Sequence, residues 1–163
     1  MRLGLLILCS MLLASCAGES PANLNIGQRA PSFQTVLASG AAVAYPGQGG
    51  DRPVLLFFWA EWCPGCAKEM KDIEALYLRH RDQGLAVLAV NVGQDTASVQ
   101  AFMRRSAVSY PALLDETSAI THSYGVTGLP TAFLIDAQGI VRGKVVGEVA
   151  MATMADQLAA LLK

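Results

Sequence analysis

The chain is 163 residues long, 53% of them hydrophobic and 15% charged, with a formal net charge of −1. That length suits one domain of roughly 100 to 200 residues and excludes a long multidomain enzyme. Twelve basic against thirteen acidic residues, without a dense Lys/Arg run, leave no electrostatic footprint for nucleic acid, and the apolar content excludes a disordered chain.

Residues 1–15 stand apart, since eleven of the fifteen are apolar and Arg2 is the only charged side chain. Arg2 with the amino terminus forms a positive region, Leu3 to Leu13 an apolar stretch, and Leu13-Ala14-Ser15 a small-residue approach to Cys16, the layout of a secretory leader. As a helix the apolar stretch spans about 16 Å against roughly 30 Å of bilayer hydrocarbon, too short for a permanent span. Leu13-Ala14-Ser15-Cys16 resembles the bacterial lipobox, which implies cleavage after Ser15 and acylation of Cys16. A leader cut at an Ala-x-Ala-like site with Cys16 incidental, and an uncleaved short anchor, are the competing readings. The expected organisation is a lipoprotein signal peptide at 1–15, a lipid-anchored tether at 16–27 that is small and polar from Ala17 to Asn23, and one domain at 28–163.

In chain order, Phe33 to Leu37 and Ala42 to Tyr45 flank Ser39-Gly40 and read as a hairpin, followed by the loop Pro46-Gly47-Gln48-Gly49-Gly50. Pro53 to Trp59 is a continuous run of apolar β-formers, the pattern of a strand buried on both faces. From Pro64 to about Arg81 the apolar residues Met70, Ile73, Leu76 and Tyr77 recur at three and four, which predicts an amphipathic helix stopped at Gly84. Leu85 to Val92 reads as a second buried strand, and Asp95 or Thr96 can cap a helix carrying Val99, Phe102 and Met103. A short helix is expected over Thr117 to Tyr124. Thr131 to Ile135, the turn Asp136-Ala137-Gln138-Gly139, and Ile140 to Val146 read as an antiparallel hairpin, and Met151 to Leu162 as a closing helix. This order predicts an α/β fold: a central mixed sheet covered by helices on both faces, with an N-terminal β-hairpin extension.

On the lipobox reading Cys9 leaves with the leader and Cys16 is taken by lipid, so that of the four cysteines Cys63 and Cys66 remain, too close in sequence to staple a fold. Trp62-Cys63-Pro64-Gly65-Cys66 sits where a buried strand becomes a helix. The spacing places both sulfurs on the first helical turn, near free backbone N–H groups and the positive end of the helix, which favours thiolate. One thiolate can attack a disulfide and the other resolve the mixed disulfide, a cycle that needs no cofactor beyond the Cys63–Cys66 pair. Half of a zinc site is the alternative. It needs two more ligands; there is no second Cys pair, and His80 and His122 are isolated in sequence, so no metal is expected.

Phe57-Phe58-Trp59-Ala60-Glu61-Trp62-Cys63-Pro64-Gly65-Cys66, with Gly128-Leu129-Pro130-Thr131 ahead of the last hairpin, resembles the thioredoxin family over roughly Gly27 to Lys163. More narrowly, the leader, Leu88-Ala89-Val90-Asn91-Val92-Gly93 and the Ala67-Lys68-Glu69 that follows the cysteines are similar to TlpA/ResA-like extracytoplasmic thiol-disulfide oxidoreductases. The resemblance implies the three-layer thioredoxin-like fold. It also implies that Pro130 follows a cis peptide bond and lies against the disulfide, while the backbone of Leu129 pairs with an extended substrate chain. Trp62, Pro64, Leu129 and Pro130 are then the substrate-binding residues; a trans Pro130 that merely starts a strand and a Trp62 that is merely packed are the plainer readings. Glu69, three residues after Cys66, matches an acid that assists proton transfer beside the cysteines, against the plainer reading of a solvated Glu in a Lys68-Glu69-Lys71-Asp72 cluster. Two departures stand out: Phe57 occupies the place of thioredoxin's buried acid, and Pro64-Gly65 reverses thioredoxin's Gly-Pro, which leaves the direction of electron flow open.

The expected activity is a membrane-tethered thiol-disulfide oxidoreductase that reduces disulfides of exported proteins, with Cys63 attacking and Cys66 resolving. An upstream membrane electron donor would restore the dithiol, and the enzyme would sit outside the cytoplasm on a bacterial membrane, facing the periplasm if there are two. A disulfide oxidase is the near alternative. A peroxiredoxin-type peroxidase is disfavoured, because the Thr or Ser at minus three and the Pro at minus seven from its nucleophile are replaced, for Cys63, by Ala60 and Leu56. A copper-handling thiol carrier lacks a nearby Met or His in the Cys loop.

Overall fold

The computed structural model describes residues 24–47, 51–148 and 151–162. The leader at 1–15, Cys16 and the tether up to residue 23 lie outside the described residues.

Two short strands, β1 (Phe33–Val36) and β2 (Ala42–Tyr45), form the N-terminal antiparallel hairpin, turned at Gly40 with φ 93°. The main sheet is built from β3 (Val54–Trp59), β4 (Ala86–Val92), β5 (Ala112–Asp115), β6 (Thr131–Ile135) and β7 (Val141–Val146), in the spatial order β5-β4-β3-β6-β7. β3 and β5 run parallel to β4, while β6 is antiparallel to both β3 and β7. Between and after the strands come α1 (Cys66–His80), α2 (Thr96–Ser106), α3 (Ala119–Ser123) and α4 (Met151–Leu161). The fold is α/β and thioredoxin-like, a mixed sheet between two covering layers.

β3 is central because every one of its residues is apolar and every one is buried. Its alternation divides the protein into two cores. Leu55, Phe57 and Trp59 face α1, α2 and α4 through Met70, Ile73, Leu76, Val99, Phe102, Met154 and Leu158. Leu56 and Phe58 face the opposite layer, where Phe33 and Tyr45 of the hairpin meet Ile120 and Tyr124. Each large side chain removed from water in this way contributes about 1.5–3 kcal/mol, so this strand anchors everything packed on it.

The ends of the elements follow their local chemistry. α1 passes into a single 3-10 turn at Arg81–Gln83 and stops at Gly84, which takes φ 98°. Asp95 caps α2, its Oδ1 accepting the Ser98 N–H at 3.0 Å. In the β6–β7 turn Asp136 Oδ1 accepts the N–H groups of Gln138 and Ile140 at 2.9 and 2.8 Å, and Arg142 Nε donates to Oδ2 at 2.6 Å.

One element departs from expectation. β5 was not predicted, since Ala112-Leu113-Leu114 offers only three apolar residues after Pro111, too few for a periodic signal. It forms because β4 presents an open edge, pairing Ala89 with Ala112 through Val92 with Asp115. The outer edge of β5 is in turn covered: Leu37 bridges Leu113 and Ala38 N–H donates to the Ala112 carbonyl at 2.8 Å, so the hairpin blocks further strand addition there. At the end of the expected tether, Leu24 is buried and Gly27 N–H is bonded to the Val141 carbonyl at 2.8 Å, while Asn25, Ile26 and Gly27 are exposed.

Candidate active site

β3 ends at Trp59, and the chain turns through Ala60-Glu61-Trp62 into the cysteine pair. The spacing predicts both sulfurs on the first helical turn, but α1 begins at Cys66 with Gly65 as its N-cap, and Cys63 lies in the turn before it. Pro64 accounts for the difference, because the residue ahead of a proline is driven out of the helical region. Cys63 N–H donates to the Ala60 carbonyl and Cys66 N–H to the Cys63 carbonyl, each at 3.2 Å, which folds the turn back under the helix. The two cysteines form a disulfide with their Cα atoms 5.4 Å apart. Both cysteines are buried, Cys63 keeping 5% of its surface and Cys66 none, so what little exposure the pair retains belongs to the first. No side chain caps the N-terminus of α1, which leaves the positive end of the helix directed at this turn.

The Leu129–Pro130 peptide bond is cis, and Pro130 is buried against the cysteine turn, its Cδ 4.0 Å from the point where a Cβ on Gly65 would stand. Two bonds hold this loop: Thr131 Oγ1 donates to the Gly128 carbonyl at 2.7 Å, and Gly147 N–H to the Pro130 carbonyl at 2.8 Å. Leu129 is half-buried and touches both cores. Trp62 is 67% exposed, which removes the packed reading, and Pro64 is exposed beside it.

Glu69 is 4% exposed. It belongs to the inner face of α1 with Cys66, Met70 and Ile73, so the solvated reading does not describe it. Its sequence neighbours do form the solvated cluster: Lys68 Nζ reaches Asp72 Oδ2 at 3.0 Å, and that bond holds the lysine above its usual pKa.

The residues that position the loop before Cys63 escaped sequence reasoning. Gln94 Oε1 accepts from the Glu61 backbone N–H at 2.8 Å and from Asn91 Nδ2 at 2.9 Å, and Arg105 of α2 reaches Glu61 Oε1 at 2.6 Å. Asn91, fully buried in an otherwise apolar strand, carried a signal; Gln94 and Arg105 carry none locally. Beneath the loop the Trp59 ring packs on Phe102 of α2 at 4.7 Å. Among the described residues no three His, Cys, Asp or Glu side chains group so as to hold a metal ion, and no helix is long and apolar enough to cross a membrane.

Residues 26–144 match the AhpC/TSA family. The chain is 36% identical over 125 residues to the thiol-disulfide oxidoreductase ResA of Geobacillus thermodenitrificans, an alignment covering 75% of this chain and 70% of that protein. It is 34% identical over 125 residues to the ResA of Bacillus subtilis, covering 77% and 69%. The fold superposes on a thioredoxin-family thiol:disulfide interchange protein of Chlorobium tepidum with a TM-score of 0.73 and 26% identity, over 87% of this chain and 100% of that one.

Proposed function

We propose that this chain, which belongs to the AhpC/TSA family and is a thiol-disulfide oxidoreductase of the TlpA/ResA-like group, works as a reductase of protein disulfides outside the cytoplasm. The observation that carries the proposal is the asymmetry of the pair: Cys63 lies ahead of α1 and keeps a sliver of exposure, and Cys66 is fully buried at the first residue of the helix.

In the forward reaction the Cys63 thiolate attacks one sulfur of the substrate disulfide. The other substrate sulfur leaves as a thiolate and takes a proton, giving a Cys63 mixed disulfide. Cys66 thiolate then attacks Cys63 Sγ, the second substrate thiol departs, and the Cys63–Cys66 disulfide closes, two electrons having passed to the substrate. A membrane dithiol donor must return them. The uncapped end of α1 stabilises the attacking thiolate. The exposed Trp62 and Pro64, with Leu129 and Pro130, form the rim over which a substrate chain lies. Glu69, out of water on the face of Cys66, is assigned proton transfer to and from the sulfurs. Attachment to the membrane through lipid on Cys16 completes the reading, supported by the residues before it.

Two measurements test this. The reduction potential should lie nearer to the roughly −270 mV of thioredoxin than to the roughly −120 mV of DsbA; a value at the DsbA end makes the enzyme an oxidase. Cys66→Ser should accumulate mixed disulfides with exported proteins through Cys63, and mass spectrometry of the native protein should find lipid at Cys16.

A further inference from the structure

Gly65, inside the Cys63-Pro64-Gly65-Cys66 turn, has no side chain, and a distant carboxylate uses the space. The point where its Cβ would stand is 3.6 Å from both Cγ and Oε1 of Glu148 and 4.0 Å from Pro130 Cδ. Glu148 follows β7 and is exposed. Its backbone neighbour is pinned, Gly147 N–H being bonded to the Pro130 carbonyl at 2.8 Å, so the carboxylate is presented at the junction of the cysteine turn and the cis proline.

The surroundings of Glu148 are apolar where they are exposed and neutralised where they are charged. Trp62 at 67% and Val146 at 56% exposure are the two most exposed large apolar side chains of the site; the first adjoins Cys63 and the second lies 3.9 Å from the Cβ point of Gly128, beside Leu129. Glu61 is engaged by Arg105, Lys68 by Asp72, and Glu69 is buried. Lys68 is near enough to feel Glu148, but its bond is to Asp72. Among the described residues no cation stands within ion-pair distance of Glu148.

We propose that Glu148 makes the site selective for polypeptide disulfides flanked by lysine or arginine, its carboxylate receiving the substrate cation while the chain lies on Trp62 and the Leu129–Pro130 loop. The proposal rests on the exchange reaction above and adds to it the class of substrate. A solvent-exposed pair of this kind contributes modestly, and replacing attraction by like-charge repulsion widens the difference, so a basic and an acidic substrate should differ in rate by about three- to tenfold at low salt.

The test uses two peptides with one intramolecular disulfide each, identical except that the residue beside the attacked cysteine is Lys in one and Glu in the other. The second-order rate of each with the reduced full chain is followed by stopped flow, with a small uncharged disulfide as a third substrate. The Lys-to-Glu rate ratio should be about three to ten for the parent, fall toward one in Glu148→Gln and in 0.5 M salt, and invert in Glu148→Lys. A parent ratio of one, or an unchanged ratio in Glu148→Gln, overturns the proposal while leaving the exchange chemistry standing. Failure of all three disulfides to react overturns the redox reading itself and this selectivity with it.

Discussion

Arg105 Nη2 lies 2.6 Å from Glu61 Oε1, joining α2 to the loop two residues ahead of Cys63. The same guanidinium stands 5.7 Å over the Phe102 ring, which packs on Trp59 beneath the loop. The ion pair is still a surface one, with side chains 60% and 42% exposed. Arg105→Ala should therefore cost about 0.2–1 kcal/mol, and the loss should shrink in 0.5 M salt. Gln94→Ala removes the acceptor shared by Glu61 N–H and the buried Asn91 amide, and should cost about 1–3 kcal/mol at any salt. Denaturant unfolding at two salt concentrations measures both, and a larger effect from Arg105→Ala would reverse this ranking.

The positions of the two cysteines, one ahead of α1 and one within it, predict the order of labelling. After reduction, alkylation near neutral pH should modify Cys63 first, because Cys66 is fully buried. Peptide mapping reads this directly, and preferential modification of Cys66 would exchange the two roles.

Glu69→Gln preserves the shape of a buried side chain on the Cys66 face and removes its titration. The domain should remain folded, while thiol reactivity between pH 5 and 10 takes a different profile and turnover slows by about a hundredfold or more, within the range general acid–base groups contribute. Coincident pH profiles and rates for parent and variant would return Glu69 to a packing role.

Tyr110 and Tyr124 predict the alkaline limit of stability. Burial pushes both phenols above their ordinary pKa, with Glu74 adding to the first and Tyr45 to the second. Their hydroxyls donate to the Met70 and Pro31 carbonyls at 2.8 and 2.7 Å. In the unfolded chain each phenol loses its proton near its ordinary pKa of about 10, whereas the folded protein keeps it. Their contribution is therefore complete below that pH and declines as pH rises above it. The melting temperature should fall between pH 9 and 11.5, with phenolate absorbance appearing together with unfolding. Tyr124→Phe should lose about 1 kcal/mol at neutral pH and flatten the alkaline slope; an unchanged slope would remove Tyr124 from this account.

The parts of the fold that announce themselves in sequence are those whose burial is local. Val54–Trp59 is apolar at every position and becomes the central strand, and Cys63-Pro64-Gly65-Cys66 lies where that strand gives way to a helix. β5 is hidden because its pairing partner, the edge of β4, supplies what three apolar residues cannot. Gln94, Arg105 and Glu148 are hidden for another reason: each is an ordinary polar residue whose role comes from what the fold places opposite it, Glu61 for the first two and Gly65 for the third. Glu69 is intermediate, its helical offset from Cys66 being visible in sequence and its withdrawal from water only in the fold.

The bond from Gly27 N–H to Val141, with that from Ala30 N–H to Gly139, brings the chain into the domain beside the β6–β7 turn. In the antiparallel register that turn neighbours Val54, the first residue of β3, whereas the disulfide follows Trp59, the last. Gly27 and Ala30 thus lie at the end of β3 away from the redox pair, the strand's six residues spanning about 20 Å, while Leu24, whose carbonyl accepts from Lys144 Nζ at 3.0 Å, is held nearer the middle of the sheet. With lipid on Cys16, as proposed, the eight residues from 16 to 23 extend no more than about 29 Å, so the domain stays close to the bilayer surface. When the tether holds the β6–β7 turn toward the bilayer, substrates meet Cys63 from open solvent, and a donor embedded in the bilayer has to raise its own thiols past the body of the domain.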